Sequence, residues 1–152
     1  MVTTLRAAVD PRSIPAPTSE LHTVTLLTSQ EVKALAATNI DLVPAPGAGL
    51  ALAPTRVVYS LDRNAAYDDA AALGNLILAY KTTQTALITS EADAFIDAAA
   101  DAAKVEAPAV ADFAPEANTA IVLDNDGAEF TGDAGNVNTL RVTVYYIVVP
   151  MA

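Results

Sequence analysis

The sequence predicts an all-β fold: an antiparallel β-sandwich or jelly roll with one or two short helices and an extended N-terminal arm. Three observations predict it. The final apolar stretch, "NTLRVTVYYIVVP", has a clear period of two, with Leu140, Val142, Val144, Tyr146 and Val148 on one face and Arg141, Thr143, Tyr145, Ile147 and Val149 on the other. Six or so strand-like runs are separated by turn residues, without the regular strand-helix alternation of a doubly wound sheet. Residues 1–20 carry Pro11, Pro15 and Pro17 among serine, threonine and alanine, a composition that favours extended chain. The expected organisation is therefore an arm over residues 1–20 and a β-sandwich domain over residues 21–152.

The elements follow in order. "HTVTLLT" alternates threonine with apolar residues and reads as a strand. Thr28 and Glu31 then have the spacing of a capping box, so a short helix follows, with Val32, Leu35 and Ala36 on one stripe, ending by Asn39. "NIDLVP" is the next strand, and "PAPGAG" a tight turn in which Gly47 and Gly49 are free to take positive φ. "LALAPTRVVYSLD" is apolar and β-branched, but Pro54 cannot donate a ladder hydrogen bond and marks an edge or a bulge. "DRNAAYDDAAALG" reads as a loop and "GNLILAYKT" as a strand. "TSEADAFIDAAADAAK" carries the strongest helix signal, with Ser90 as cap, acids in the first turn and alanine-rich propagation. "NTAIVLDND" is a strand that stops in a turn, and the alternating strand already described, expected at the centre of a sheet, closes the chain.

With 152 residues, 53% of them hydrophobic and 17% charged, the chain can bury a real core. The formal net charge is −10, and residues 91–133 hold eleven acids against one base, Lys104, a surface that repels free nucleic acid and keeps an abundant protein in solution. The N-terminus lacks the apolar core of a signal peptide, and the longest apolar run falls short of the roughly 20 residues that cross a bilayer, so a soluble, non-secreted protein without a membrane partner is expected.

Residue types that carry chemistry are sparse. The absence of cysteine removes thiolate nucleophiles, thiolate metal sites and disulfides. "PAPGAGLAL" lacks the lysine of a phosphate-binding loop, and Pro44 and Pro46 remove amides that such a loop needs. The single histidine, His22, has no sequence context for a triad or a metal site. "DNDGAEFTGD" supplies Asp124, Asp126, Glu129 and Asp133, but not at the spacing of a calcium loop, and reads as an Asp- and Gly-rich hairpin turn. Asp68 and Asp69 are adjacent on a loop and point apart, so no catalytic carboxylate pair is expected. The expectation is a non-enzymatic protein without catalytic residues, metal or cofactor.

The order "LTSQEVKAL…ATNIDLVPAPGAG", then "VVYSLD", "NAAY" and "GNLILAY", then "NTAIVLDNDGAEFTGDAGN…LRVTVYYIVVP" resembles a group of small structural proteins of tailed bacteriophages. The resemblance covers about residues 21–150, and its most specific parts are "LVPAPGAG" and the terminal strand; Leu50 departs from it, standing where the group has lysine. What the resemblance implies is capsid decoration, or cement: a virion protein on the outer surface of the capsid, with the major capsid protein as partner, assembled as a homo-oligomer for which a trimer is favoured. A tail or fibre component is the alternative within the structural class. A carbohydrate-binding sandwich module would normally present exposed aromatics, and this chain has no tryptophan and five tyrosines. Outside the resemblance, the arm offers Leu5, Val9 and Ile14 as apolar anchors and Arg6 and Arg12 for acidic groups, a capsid-binding strap in this reading. The second face of the last strand, with Tyr145, Ile147 and Val149, is apolar enough to predict self-association.

Overall fold

A computed structural model describes residues 20–68, 74–90, 93–108 and 114–151. In chain order the elements are β1 (Leu21–Thr28), α1 (Ser29–Lys33), β2 (Ile40–Val43), β3 (Leu50–Asp62), β4 (Tyr67–Asp68), β5 (Leu76–Tyr80), β6 (Ala86–Ser90), α2 (Asp93–Ile96), β7 (Ala102–Glu106), β8 (Ile121–Asn125), β9 (Thr131–Gly132) and β10 (Thr139–Pro150). Two antiparallel four-stranded sheets form a β-sandwich, one ordered β1-β10-β3-β7 and the other β2-β8-β5-β6, and β4 pairs with β9 as a small third sheet.

The period of two in the last strand becomes the spine of the first sheet. β10 lies between β1 and β3, and Leu140, Val142 and Val144 point inward between Leu27 on one side and Leu61, Tyr59 and Val57 on the other. The second sheet contributes Leu76, Leu78, Tyr80, Ile88, Ile121 and Leu123 to the same core. Removing this apolar area from water is the main favourable term, and its β-branched content fits the pleat. One hydrogen bond also crosses between the layers: the Tyr80 hydroxyl donates to the Leu52 carbonyl of β3.

Pro54 is accommodated as a bulge. Tyr145 pairs with Arg56 and Tyr146 with Pro54, so Thr55 is the extra residue, and β7 borders β3 only from Val57 to Leu61. A missing N–H at Pro54 therefore leaves no ladder partner unsatisfied on that side.

The capping box at Thr28 is present in full. The Glu31 N–H donates to the Thr28 hydroxyl at 3.4 Å, and the Thr28 N–H donates to the Glu31 carboxylate at 2.8 Å. The helix it starts is shorter than expected, ending at Lys33, because Val32 and Leu35 are already fully buried within a single turn and the chain must leave for β2.

Three expectations need correction. The alanine-rich segment after Ser90 is not a long helix. Of its described residues only Asp93–Ile96 are helical, and Ala102–Glu106 form β7 against β3. Ser90 is the buried last residue of β6. Phe95 packs on Tyr59 with ring centroids 5.8 Å apart, and the Asp101 carboxylate takes the Arg63 N–H at 2.9 Å, so tertiary contacts override alanine's helix propensity. The stretch expected as a loop before β5 contains β4. The expected turn in "PAPGAG" is present, closed by the Leu50 N–H on the Gly47 carbonyl, and it links strands of different layers. "DNDGAEFTGD" likewise carries the chain from β8 through β9 toward β10, and is no simple hairpin.

Candidate interaction surface

The outward side of the first sheet is built by the same alternation that fills the core. Opposite residues place Val24, Thr143, Val58 and Val105 in one row across all four strands, and Leu26, Arg141, Ser60 and Ala103 in the next. Val24 and Leu26 are 57% and 61% exposed, and Val105 is 64% exposed. A third row is polar and aromatic. Tyr145 lies between His22 and Arg56, the His22 ring centroid 5.6 Å from its own and the Arg56 guanidinium 3.9 Å above it. Glu20 fixes this row from the end, its carboxylate accepting from Arg56 at 3.3 Å and from the Thr55 hydroxyl at 2.5 Å. Arg56 therefore holds Tyr145 down as a cation over a ring face. Tyr145, Ile147 and Val149 are partly buried, and the most exposed aliphatic side chains of this sheet, Val24, Leu26 and Val105, stand on β1 and β7 instead.

The glycine turn closes the end of the sheet where β10 finishes. Gly47 and Gly49 take φ of +103° and +74°, the left-handed region that favours glycine. The Gly47 N–H donates to Asn118 Oδ1 at 3.1 Å, the Leu50 N–H to the Gly47 carbonyl at 3.2 Å, and the Met151 N–H to the Gly49 carbonyl at 2.8 Å. The Gly47 and Leu50 amides are thus committed to the protein itself, and the turn clamps the end of β10.

The acidic candidates are not brought together. Asp126 accepts from the Asn75 N–H at 2.6 Å, and Asp124 from the N–H of Asn125 at 2.8 Å. Asp133 is buried elsewhere, with its carboxylate on the N–H groups of Val137 at 3.1 Å and Asn138 at 3.0 Å. Among the described residues no three His, Asp or Glu side chains converge as a metal site. Asp68 lies on β4, and Asp69 is outside the described residues, as are the arm residues Leu5, Arg6, Val9, Arg12 and Ile14.

Sequence reasoning missed the polar knot around Asp133. Ser29, Tyr67, Asp133 and Asn138 are all buried; Ser29 and Tyr67 share a hydroxyl hydrogen bond at 3.0 Å. Asn138 Oδ1 accepts the N–H groups of Asn64 and Ala65, and the Lys33 ammonium caps the carbonyls of Gly132 and Asp133 at 3.2 Å each. Burial alone would raise the Asp133 pKa, but the Ser29 hydroxyl, the Asn138 and Val137 amides and the Lys33 charge outweigh it and hold the carboxyl below its usual range.

No protein-family model matches the chain, and no curated protein does. Among solved structures the fold is similar to a chain of the cyanophage Pam1 capsid asymmetric unit, at 13% identity and a TM-score of 0.49, over 96% of this chain and 99% of that one.

Proposed function

We propose that this chain is a non-enzymatic structural protein of a tailed-phage virion, a capsid decoration (cement) protein. In this reading it binds the outer surface of the major capsid lattice as a homo-oligomer and stabilises the head. The observation that carries the reading is the union of the two most specific stretches of the phage resemblance in one structural unit. "LVPAPGAG" folds over the end of the terminal strand, Leu50 pairs with Pro150, and Met151 bonds to Gly49. The stretches that resemble the phage group thus form one tertiary contact at the end of the sandwich, while Val24, Leu26 and Val105 stand exposed on the outer face of the first sheet. The arm, residues 1–20, is the proposed strap to the capsid.

The test is titration of the purified chain onto undecorated heads. Saturable occupancy is expected. Loss of residues 1–20 lowers affinity, and serine at Leu5, Val9 and Ile14 lowers it more than glutamine at Arg6 and Arg12. The reason is that a buried aliphatic side chain is worth about 1.5 to 3 kcal/mol and an exposed ion pair under about 1. Binding to tails with none to heads would transfer the chain to the tail or fibre class.

A further inference from the structure

We propose that β1 is a docking edge for a second copy of this chain, the two β1 strands pairing antiparallel about a twofold axis through Thr25. The inference goes beyond the virion reading and stands on a comparison of the four outer strands of the two sheets. Unpaired sheet edges invite strand addition, and natural proteins blunt them with short length, bulges or inward charges. Three of the four are blunted in this way. β7 has five residues and turns Lys104 and Glu106 to the core side, paired at 2.8 Å. β2 has four residues and a register shift between Asp41 and Val43. β6 has five residues and meets β5 across a register shift between Leu78 and Ala79.

β1 has none of these devices. Its eight residues pair with β10 without a shift, from Leu21 on Tyr146 to Thr28 on Thr139, and "LHTVTLLT" holds no acid, lysine, arginine, proline or glycine. Of the large apolar side chains that the described residues leave exposed, Leu21, Val24 and Leu26 all stand on it.

The occupant follows from charge and register. In a chain of net charge −10, two bodies approach most easily along a strand that carries no acid, which β1 provides to both sides of a self-contact. Directly opposed residues in an antiparallel pair share a face, so with Thr25 on the axis Val24 of one copy faces Leu26 of the partner subunit. The four exposed aliphatics then meet in one cluster, and the first sheets of both copies join into a single eight-stranded sheet. This contact is isologous and makes a dimer, in place of the trimer that the resemblance implies for the free protein.

The test uses the full chain. Sedimentation velocity at micromolar concentration is expected to give a dimer, and the double substitution Val24→Lys with Leu26→Lys to give a monomer with unchanged circular dichroism and Tm, because both side chains already face solvent. Since the chain has no cysteine, Val24→Cys protein mixed with Leu26→Cys protein should be joined by a short thiol cross-linker, whereas Val105→Cys mixed with Leu26→Cys should not. A monomer, a trimer, or a dimer indifferent to the lysines overturns the proposal. Occupancy of heads is read separately, so the failure of this contact and of the decoration reading are distinguishable.

Discussion

The carboxylate of Asp133 accepts the backbone N–H of Asn138 at 3.0 Å, and through Asn138 it is coupled to the N–H groups of Asn64 and Ala65, distant in sequence but beside it in the fold. Asp133 itself sits at φ +41°, a left-handed conformation held by its N–H donating to the Ala66 carbonyl at 2.7 Å. This one side chain ties the ends of β3, β9 and β10 together.

Acid should loosen that tie first. The folded Asp133 carboxyl lies below the ordinary 3.8, so its contribution is fully present above that value and is lost as pH falls below it toward the depressed folded pKa. Asp133→Asn is expected to lower Tm by several degrees at neutral pH, and the gap from the parent to narrow below about pH 4. Thermal melts of both proteins across the acid range check this; a gap that stays constant to low pH contradicts it.

At the alkaline end the sign reverses. Burial pushes the Tyr59 and Tyr80 phenols up to about 12, from 10.0 when unfolded, so the unfolded chain loses those protons first and stability declines as pH rises from 10 toward 12. Burial raises Tyr67 as well, so phenolate absorbance should show at least two of the five tyrosines, Tyr59 and Tyr80, ionising only as the fold is lost. Full ionisation near pH 10 with native circular dichroism would refute it.

Two glycines should respond differently to alanine. At Gly47, φ is +103° and no atom lies within 4 Å of an added Cβ, so the cost is backbone strain of about 1 to 2 kcal/mol. At Gly74, φ is +105° and the Cβ would also strike Asn125 Oδ1 and come within 2.5 Å of the Gly127 nitrogen, adding a further ~1 to 3 kcal/mol of overpacking. Denaturant melts should rank Gly74→Ala well below Gly47→Ala.

Chelation should leave the melting temperature unchanged, because the carboxylates of Asp126 and Asp133 are already occupied by protein donors. A fall in Tm with chelator that calcium reverses would show a cation site in "DNDGAEFTGD".

How much of this was legible in the sequence depended on how local the cause was. The capping box at Thr28 and Glu31, the bulge at Pro54 and the alternation of β10 are each fixed by a few neighbouring residues, and each is present in the fold. The helix expected after Ser90 failed for the opposite reason. Ala102, Lys104 and Glu106 have no strand preference of their own and become β7 only because Leu61, Tyr59 and Val57 offer a free ladder. The Asp133 knot joins residues such as Ser29 and Tyr67 that are far apart in the chain, and no spacing rule announces such contacts. For the interaction surface, apolar residues at alternate positions were visible, but only the pairing register shows that Val24, Val58 and Val105 share one row.

The decoration role is tested most directly on purified phage particles labelled with an antibody against this chain and imaged in negative stain. The account predicts label distributed over the outer surface of the heads. Label confined to the tails, or absent from intact particles, would contradict it.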